Sequence, residues 1–364
     1  MKGIRRWQPC VDHRGPETEQ FARTYFADPE RKCLLIAGGG FDPRASVAAG
    51  LLSSTLGERL SAIIVREERP LPSRRIVALA DANVRLLQSL VTNSIVESIQ
   101  IFDSDGAVVG GRNAVEAIRK NSLDGVTDVV IDMSALSIGV SFPIVRYVLE
   151  FAEHAEARIN VHVMVLSAPY HDEQRRRVSN DVVSLVHSFH GDLKLHSRSE
   201  SAKLWIPQLS VAKQSALERI YAAGSFDDVC PILPFPSSHA RAGEAIAEHF
   251  MEQLDGAWEV DARNIVYACE DDPVDVYRTI LDIEEQRRPV FEGTVKSVVV
   301  LSPVGSKAVA LGSLMAAVER ALPVVYVEAL KYDLPAKETP MTSDEIMLHV
   351  WLHGEAYPAA EQRL

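Results

Sequence analysis

A short run in the last third of the sequence combines small polar residues with one cation, between an aliphatic segment and a helical pattern. A strand, loop and helix of this kind would bring backbone N–H groups and the positive end of a helix dipole to one point beside a lysine. Such a point suits an anion or the edge of a nucleotide. The candidate ligand-binding residues of this run are Ser302, Gly305, Ser306 and Lys307.

Lys307 stands at the start of an otherwise apolar helical pattern, where its positive charge opposes the helix dipole. We therefore expect Lys307 to have an anionic partner. That partner is either a ligand or a carboxylate that follows the preceding strand pattern, Glu270 or Asp272.

A second polar group follows the first aliphatic strand pattern and consists of Gly38, Gly39, Gly40, Asp42 and Arg44. Glycines let the backbone approach a ligand closely, and a guanidinium group can pair with a phosphate or carboxylate. The G-x-G-x-x-G spacing of dinucleotide-binding loops is absent. Asp42 has an alternative role as the N-cap of a helix that begins at Pro43.

Asp132 and Ser134 follow another buried strand pattern and could hydrogen-bond a ribose or another hydroxyl group. Their alternative role is helix capping, although Ser141 and Pro143 are sufficient to start the next helix.

The loop after Pro234 carries two hydroxyl residues, a histidine and an arginine. Ser237 and Arg241 suit an anion, and His239 could act as a general acid or base. If the protein is an enzyme, its candidate catalytic residues are Asp42, Asp132 and His239.

Aliphatic strand patterns without polar alternation are separated by helical patterns over most of the chain. This alternation predicts an α/β fold with two Rossmann-like parallel sheets joined by an irregular connector. In such sheets, ligands bind at the carboxyl ends of the strands. The predicted division is an N-terminal arm and helix (1–30), a Rossmann-like domain (31–168), a connector (169–225), a second Rossmann-like domain (226–332) and a tail with an amphipathic helix at Ser343–His353 (333–364). Within the connector we expect two antiparallel strands, at 193–196 and 203–206, followed by a helix at 213–223.

The 364 residues are 47% hydrophobic and carry a formal net charge of −12. This composition is globular, and the acidic balance argues against a general nucleic-acid or anionic-membrane binder. The sequence contains neither a long apolar run nor a signal-peptide pattern, which predicts a cytoplasmic protein with no membrane contact. P-loop, G-x-S-x-G and H-E-x-x-H motifs and paired Cys/His clusters are absent from the sequence, so we expect no cofactor and no metal.

The polar strand ends resemble those of CARF domains, the CRISPR-associated Rossmann-fold sensors that bind cyclic oligoadenylates. Asp132 and Ser134 are similar to the first half of the CARF motif, although Ile138 stands where that motif has a basic residue. The run from Ser302 to Lys307 is similar to the small-residue, Gly and Lys loop of these sensors but lacks their leading acidic or amide residue. The resemblance implies a nucleotide-sensing role in bacterial defence, with the effector on another protein.

Three functions remain open at this point. The first is a sensor or complex subunit that binds a nucleotide-like anion and forms a homo-oligomer or binds a partner protein. The second is an enzyme that hydrolyses or transfers a glycosyl or phosphoribosyl group of a nucleotide or sugar phosphate. The third is an assembly partner with degenerate sites.

Overall fold

The computed structural model describes residues 5–123, 125–156, 158–168, 176–191, 193, 201–334 and 345–357. The chain divides into two compact units. The first unit comprises Gly3–Ser167 and Glu345–Leu364, and the second comprises Ala168–Asp344 with Met1–Lys2. The predicted α/β class with mainly parallel strands is confirmed. Within the described residues, no helix is both long and apolar enough to cross a membrane.

The first unit contains one seven-stranded sheet. Its strands are β1 (Val11–Arg14), β2 (Cys33–Gly38), β3 (Leu60–Glu68), β4 (Asn93–Gln100), β5 (Asp128–Asp132), β6 (Asn160–Ser167) and β14 (Ile346–His353). Its helices are α1 (Pro16–Tyr25), α2 (Val47–Leu56), α3 (Arg74–Leu90), α4 (Gly110–Arg119) and α5 (Ile138–His154).

The strand order of this sheet is β1-β14-β6-β5-β2-β3-β4. The five strands from β2 to β6 are parallel, whereas β14 runs antiparallel to both β6 and β1. Strands β2, β5 and β6 are buried along their whole length, as expected for aliphatic strands covered on both faces. The chain adds β3 and β4 on one side of β2 and then β5 and β6 on the other side. The carboxyl ends of β2 and β5 are therefore the topological switch point of the unit.

The prediction of a helix at Ser343–His353 is wrong. Residues 346–353 form β14, which lies between β1 and β6 and is buried over most of its length. The run is apolar at nearly every position, and a short apolar run cannot be assigned to a helix or a strand by periodicity alone. The run forms a strand because β6, at the edge of the parallel part of the sheet, pairs with it along its length.

The described residues of the second unit form seven strands in three small sheets. The strands are β7 (Arg176–Leu185), β8 (Ser201–Pro207), β9 (Asp228–Val229), β10 (Ile232–Pro234), β11 (Val266–Ala268), β12 (Lys296–Ser302) and β13 (Val325–Asp333). The helices are α6 (Gln214–Gly224), α7 (Ala242–His249), α8 (Pro273–Phe291) and α9 (Lys307–Arg320).

Single bridges join the three small sheets of the second unit. Gln208 pairs with Ile232, and Leu301 pairs with Val324, both in parallel. The resulting strand order is β11-β10-β8-β12-β13-β7, in which only β7 is antiparallel to its neighbour; the two-residue strand β9 pairs in parallel with β8 on the side away from β12. The five parallel strands therefore follow the same order as β4-β3-β2-β5-β6 of the first unit, and the switch point lies between β8 and β12.

Residues predicted as a connector belong to this second unit. Strand β8 pairs in parallel with β12 and β9, so the predicted antiparallel pairing of residues 203–206 is wrong. The predicted partner strand at 193–196 lies largely outside the described residues. The predicted helix at 213–223 is confirmed as α6.

Candidate functional site

A pocket of about 400 Å3 lies at the switch point of the second unit, where β8, β10, β11 and β12 end. This volume is within the range typical of small-molecule sites. Its walls are mainly apolar and include Leu209, Ile232, Leu233, Ala268, Ile246 and Val309. Its polar lining residues are Gln208, His239, Glu270 and Ser306.

The amino end of α9 forms one side of the pocket. Ser306 is the N-cap: its Oγ accepts a hydrogen bond from the Val309 N–H at 3.3 Å and donates one to the Glu270 carbonyl at 3.2 Å. Gly305 and Ser306 line the pocket, and Lys307 is the first residue of the helix. The N–H groups and dipole of α9 therefore favour negative charge at this wall.

Lys213 holds the loop that leads into α9. Its ammonium group donates hydrogen bonds to the carbonyls of Val304 and Gly305, the latter at 3.1 Å. These bonds connect the segment before α6 to the loop before α9 and hold that loop in place.

Gln208 lies at the end of β8, and its side chain is 2% exposed. Its amide nitrogen donates to the Ser313 hydroxyl and to the Val309 carbonyl at 3.4 Å. A carbonyl can only accept, so these bonds fix which end of the amide faces α9. The amide oxygen Oε1 is buried and has no hydrogen-bond partner among the described residues. A buried acceptor without a donor costs about 1–3 kcal/mol.

A carboxylate, a hydroxyl and an imidazole form a hydrogen-bonded row at the pocket rim. Glu270 Oε2 accepts from the Ser238 N–H at 3.0 Å and from the Ser238 hydroxyl at 2.8 Å. Ser238 Oγ lies 3.2 Å from His239 Nδ1. The hydroxyl proton is directed to Glu270, so the imidazole does not act as a base on this serine. This order differs from a catalytic triad, in which the histidine lies between the carboxylate and the hydroxyl.

Two exposed aromatic side chains stand on the strands that end at the pocket. Phe235 is 65% exposed and Tyr267 is 56% exposed, with ring centroids 6.1 Å apart. They flank the lining residues Pro234 and Ala268 in sequence. Exposed aromatic faces of this kind can stack on a planar ligand.

The predicted residues of the second unit occupy three kinds of position. Gly305, Ser306 and His239 line the pocket. Ser237 and Arg241 lie in the same loop as His239: Ser237 Oγ donates to the His239 carbonyl at 2.9 Å, and exposed Arg241 is 3.7 Å from Glu248. Ser302 is fully buried and accepts a hydrogen bond from Trp205 Nε1 at 2.9 Å, so it supports the strand rather than the pocket wall.

The equivalent position of the first unit is occupied by buried side chains of the chain itself. Arg44 is 1% exposed and forms a two-bond ion pair with Asp42, with contacts of 2.9 and 3.1 Å. A further bond from Arg44 reaches the Leu166 carbonyl at 3.4 Å. Asp42 also accepts from the Arg44 N–H at 3.0 Å and caps the helical turn that starts at Pro43, which is the alternative role that the sequence offered for it.

Asp132 and Ser134 are also fully buried. Asp132 Oδ1 accepts from the Ser134 N–H at 2.9 Å, and the Ser134 hydroxyl accepts from the Leu166 N–H at 2.8 Å. Asp132 Oδ2 has no hydrogen-bond partner among the described residues. Burial raises the pKa of Asp132 to about 6, against the lowering effect of the Ser134 hydrogen bonds.

The glycines of this group serve close packing. A Cβ atom at Gly38 would lie 2.9 Å from the carbonyl carbon of Ala135, and one at Gly39 would lie 2.7 Å from Ile64 Cγ2. The Gly40 carbonyl accepts from the Asn83 amide at 2.7 Å. The first two glycines therefore admit neighbouring protein atoms, where the sequence suggested the approach of a ligand.

The sequence did not single out Gln208 or Lys213. Both follow β8, which the sequence suggested as part of an irregular connector, so the end of this strand was not recognised as a strand end of the parallel sheet. Recognising β8 as a central parallel strand would have placed Gln208 at a switch point.

Among the described residues, no group of three His, Cys, Asp or Glu side chains is arranged to hold a metal ion. Asp272, one of the acidic residues near the pocket, caps α8 through the N–H groups of Val274 and Asp275 at 2.9 and 3.0 Å. Comparison of the sequence with protein-family models and with curated proteins gave no match.

Proposed function

We propose that the second unit binds a nucleotide-like anionic ligand in its switch-point pocket and that the protein acts as a ligand sensor or as a subunit of a complex. The observation that carries this proposal is the pocket at the amino end of α9, whose mainly apolar lining includes Gln208, a residue with a buried Oε1 that has no partner among the described residues. A planar base brings both an apolar face and N–H donors, and so matches apolar walls with one unpaired acceptor.

The other polar groups fit the rest of such a ligand. The Glu270 carboxylate can accept hydrogen bonds from ribose hydroxyls. The amino end of α9, with Lys307 as its first residue, favours a phosphate. The exposed rings of Phe235 and Tyr267, each next in sequence to a lining residue, offer stacking surface.

The site of the first unit supports ligand binding less well. Arg44 already has Asp42 as its partner, and Asp132 and Ser134 have no exposed surface. These same facts weaken the alternative of an enzyme that uses Asp42 or Asp132 as a general base. The role as a sensor rests on the resemblance to CARF domains, and the oligomeric state and partner protein stay predictions.

The test is isothermal titration of the purified protein with mononucleotides of all four bases, and with ribose 5-phosphate as the ligand without a base. Binding of at least one nucleotide, with binding of ribose 5-phosphate at least tenfold weaker, is expected. Equal binding of the two, or no binding of any nucleotide, would contradict the proposal. Recovery of the ligand after incubation separates the two functions: an unchanged nucleotide is expected of a sensor, and a converted one would favour the enzyme.

A further inference from the structure

A row of three histidines crosses the sheet of the first unit and ends at a buried carboxylate. His13 Nδ1 lies 3.0 Å from His349 Nδ1, His349 Nε2 lies 3.0 Å from His162 Nδ1, and His162 Nε2 lies 3.2 Å from Asp128 Oδ1. These four residues stand on four adjacent strands, β1, β14, β6 and β5. We call them the histidine row.

The row is enclosed by aromatic rings. The ring of Phe21, on α1, stacks on those of His13 and His349 with centroids 4.4 and 4.3 Å apart, and the Trp351 ring lies 4.7 Å from that of His162. His162, His349 and Asp128 are fully buried, whereas His13 is half-buried. Of the six ring nitrogens, five make the contacts above, and the sixth is Nε2 of the half-buried His13.

Several charged and titratable groups face the row from the elements around it. Asp12 and Glu17 act on His13 from β1 and α1. The Tyr25 hydroxyl contacts Asp128 at 2.8 Å and Glu355 at 2.7 Å, and Arg31 forms an ion pair with Glu355 at 2.5 Å and lies 3.8 Å from Asp128. The Cys33 thiol on β2 lies in the field of Asp128. The facing groups are thus Asp12, Glu17, Tyr25, Arg31, Cys33 and Glu355.

These surroundings decide which groups carry charge. Burial would raise the pKa of Asp128, but hydrogen bonds from His162, Thr127 and Tyr25 hold it below its usual value. Burial lowers the pKa of His162 and, well below its usual value, that of His349, and it lowers the pKa of His13 as well. At neutral pH the row therefore consists of three neutral imidazoles and one carboxylate.

Neutral imidazoles can satisfy the row in one way only. The carboxylate accepts, so His162 must carry its proton on Nε2 and accept on Nδ1. His349 must then donate from Nε2 and accept on Nδ1, so His13 must donate from Nδ1. Three protons fill the three contacts, and among the contacts of the described residues His13 Nε2 is the one vacant position of the row. One added proton fills that position without breaking a contact, and a second would place two N–H groups against each other.

We propose that the histidine row is a proton-binding site that takes up a single proton through His13 and, when further protonation is forced, releases the C-terminal strand β14. His349 belongs to β14, and its two ring nitrogens connect that strand to β1 on one side and to β6 on the other. Within the row, the proton moves by transfer from nitrogen to nitrogen: each ring receives a proton on one nitrogen and passes on the proton of the other, and the net charge of the row rises by one.

The sign of the pH effect follows from linkage. An imidazole whose pKa is lowered by folding binds its proton more readily when exposed, so strand opening gains protons as the pH falls. The stabilisation of β14 is therefore complete above the ordinary histidine pKa of 6.5 and declines as the pH falls below it. For each imidazole that becomes exposed when β14 opens, the protection of the β14 amides from hydrogen exchange falls by a further factor of about ten per pH unit.

The first test is the tautomer assignment by 15N NMR of protein labelled at histidine, at pH 7.5. The row predicts a protonated Nδ1 at His13 and a protonated Nε2 at both His162 and His349. Any other set of tautomers would overturn the proposal. The signals are assigned with the full-length variants His13→Gln, His162→Gln and His349→Gln, each of which lacks the signals of one histidine.

The second test is native-state hydrogen exchange of the β14 amides from pH 7.5 to 5.5, corrected for intrinsic exchange rates. A glutamine at 349 can donate and accept like a neutral imidazole but binds no proton in this range. Protection from hydrogen exchange in the wild type should fall about tenfold or more per pH unit below 6.5. In His349→Gln this fall should be smaller by at least the contribution of one imidazole, about tenfold per pH unit. His154→Gln, at an exposed site on α5, should keep the wild-type slope. A pH-independent wild type, or an unchanged slope in His349→Gln, would overturn the proposal.

Discussion

The amide nitrogen of Gln208 donates to the hydroxyl of Ser313 on α9, and this contact leaves the amide oxygen of Gln208 without a partner among the described residues. Gln208 also lines the mainly apolar pocket at the switch point of the second unit. The corresponding position of the first unit is occupied by the Asp42–Arg44 ion pair and by the fully buried Asp132 and Ser134. The described polar residues at the two switch points therefore differ: those of the first unit are buried, whereas those of the second unit line a pocket.

Two substitutions distinguish the effect of the Gln208 amide oxygen from that of the Gln208–Ser313 hydrogen bond. Gln208→Met and Ser313→Ala both remove the Gln208–Ser313 hydrogen bond, but only Gln208→Met removes the oxygen. We expect Gln208→Met to weaken nucleotide binding about tenfold or more in isothermal titration, because a ligand donor loses its partner. Ser313→Ala should bind within about threefold of the wild type. Equal losses in the two variants would show that the oxygen does not contact the ligand.

The buried ion pair of the first unit should be needed for stability. Arg44→Met leaves the Asp42 carboxylate buried without its cation and is expected to cost about 3–5 kcal/mol of unfolding free energy, measured by urea denaturation. Asp42→Asn in the Arg44→Met background should recover part of this loss, since it removes the uncompensated charge. An unfolding free-energy cost below about 1 kcal/mol for Arg44→Met would contradict the structural role of the ion pair. Nucleotide binding by the folded variant should be unchanged.

Asp132 should oppose folding at neutral pH. Burial raises its pKa from 3.8 to about 6, so its contribution to stability is complete below pH 3.8 and is lost as the pH rises through 6. Asp132→Asn keeps an acceptor for the Ser134 N–H and removes the charge. We expect the variant to gain about 1–3 kcal/mol at pH 7.5 and to gain less at pH 4.5, where the wild-type carboxyl is protonated in the folded state. A gain that does not depend on pH would contradict this explanation.

Two neighbouring glycines provide a matched test of packing. A Cβ atom at Gly39 would lie 2.7 Å from Ile64 Cγ2 and 2.9 Å from Val84 Cγ2, whereas one at Gly40 would meet no atom within 4 Å. Gly39→Ala should cost about 1–3 kcal/mol of unfolding free energy through overpacking. Gly40→Ala should leave stability unchanged or raise it by up to about 1 kcal/mol. Equal effects of the two substitutions in thermal or urea unfolding would disprove the assigned packing.

Local patterns in the sequence predict much of the fold. The strand before Gly38, the helical start at Pro43 with Asp42 as its cap, and the strand, loop and helix around Gly305 all follow from aliphatic runs and capping signals. Helix α5 begins at Ile138, before the predicted start at Ser141; Ser137 stands at the N-cap position without a side-chain capping bond, and Pro143 lies within the helix.

The features that the sequence does not predict depend on pairing between distant segments. Strand β14 is distant in sequence from both of its neighbours, so its local apolar pattern cannot reveal its partners. The described residues at the two switch points are of similar polar types, and they differ in where their side chains point. Arg44 turns back to a carboxylate two residues away, which the sequence permits but does not require.

The central claim, that the ligand enters the pocket beside α9, is tested most directly at Gly305. A Cβ atom there would lie 3.5 Å from Val309 Cγ1 and 3.6 Å from Gln208 Cβ, so alanine fits and a larger side chain fills the pocket. Isothermal titration with the tightest-binding nucleotide should give near wild-type affinity for Gly305→Ala and a loss of at least about thirtyfold for Gly305→Leu. Full binding by a folded Gly305→Leu variant would contradict the claim and place the ligand elsewhere in the molecule.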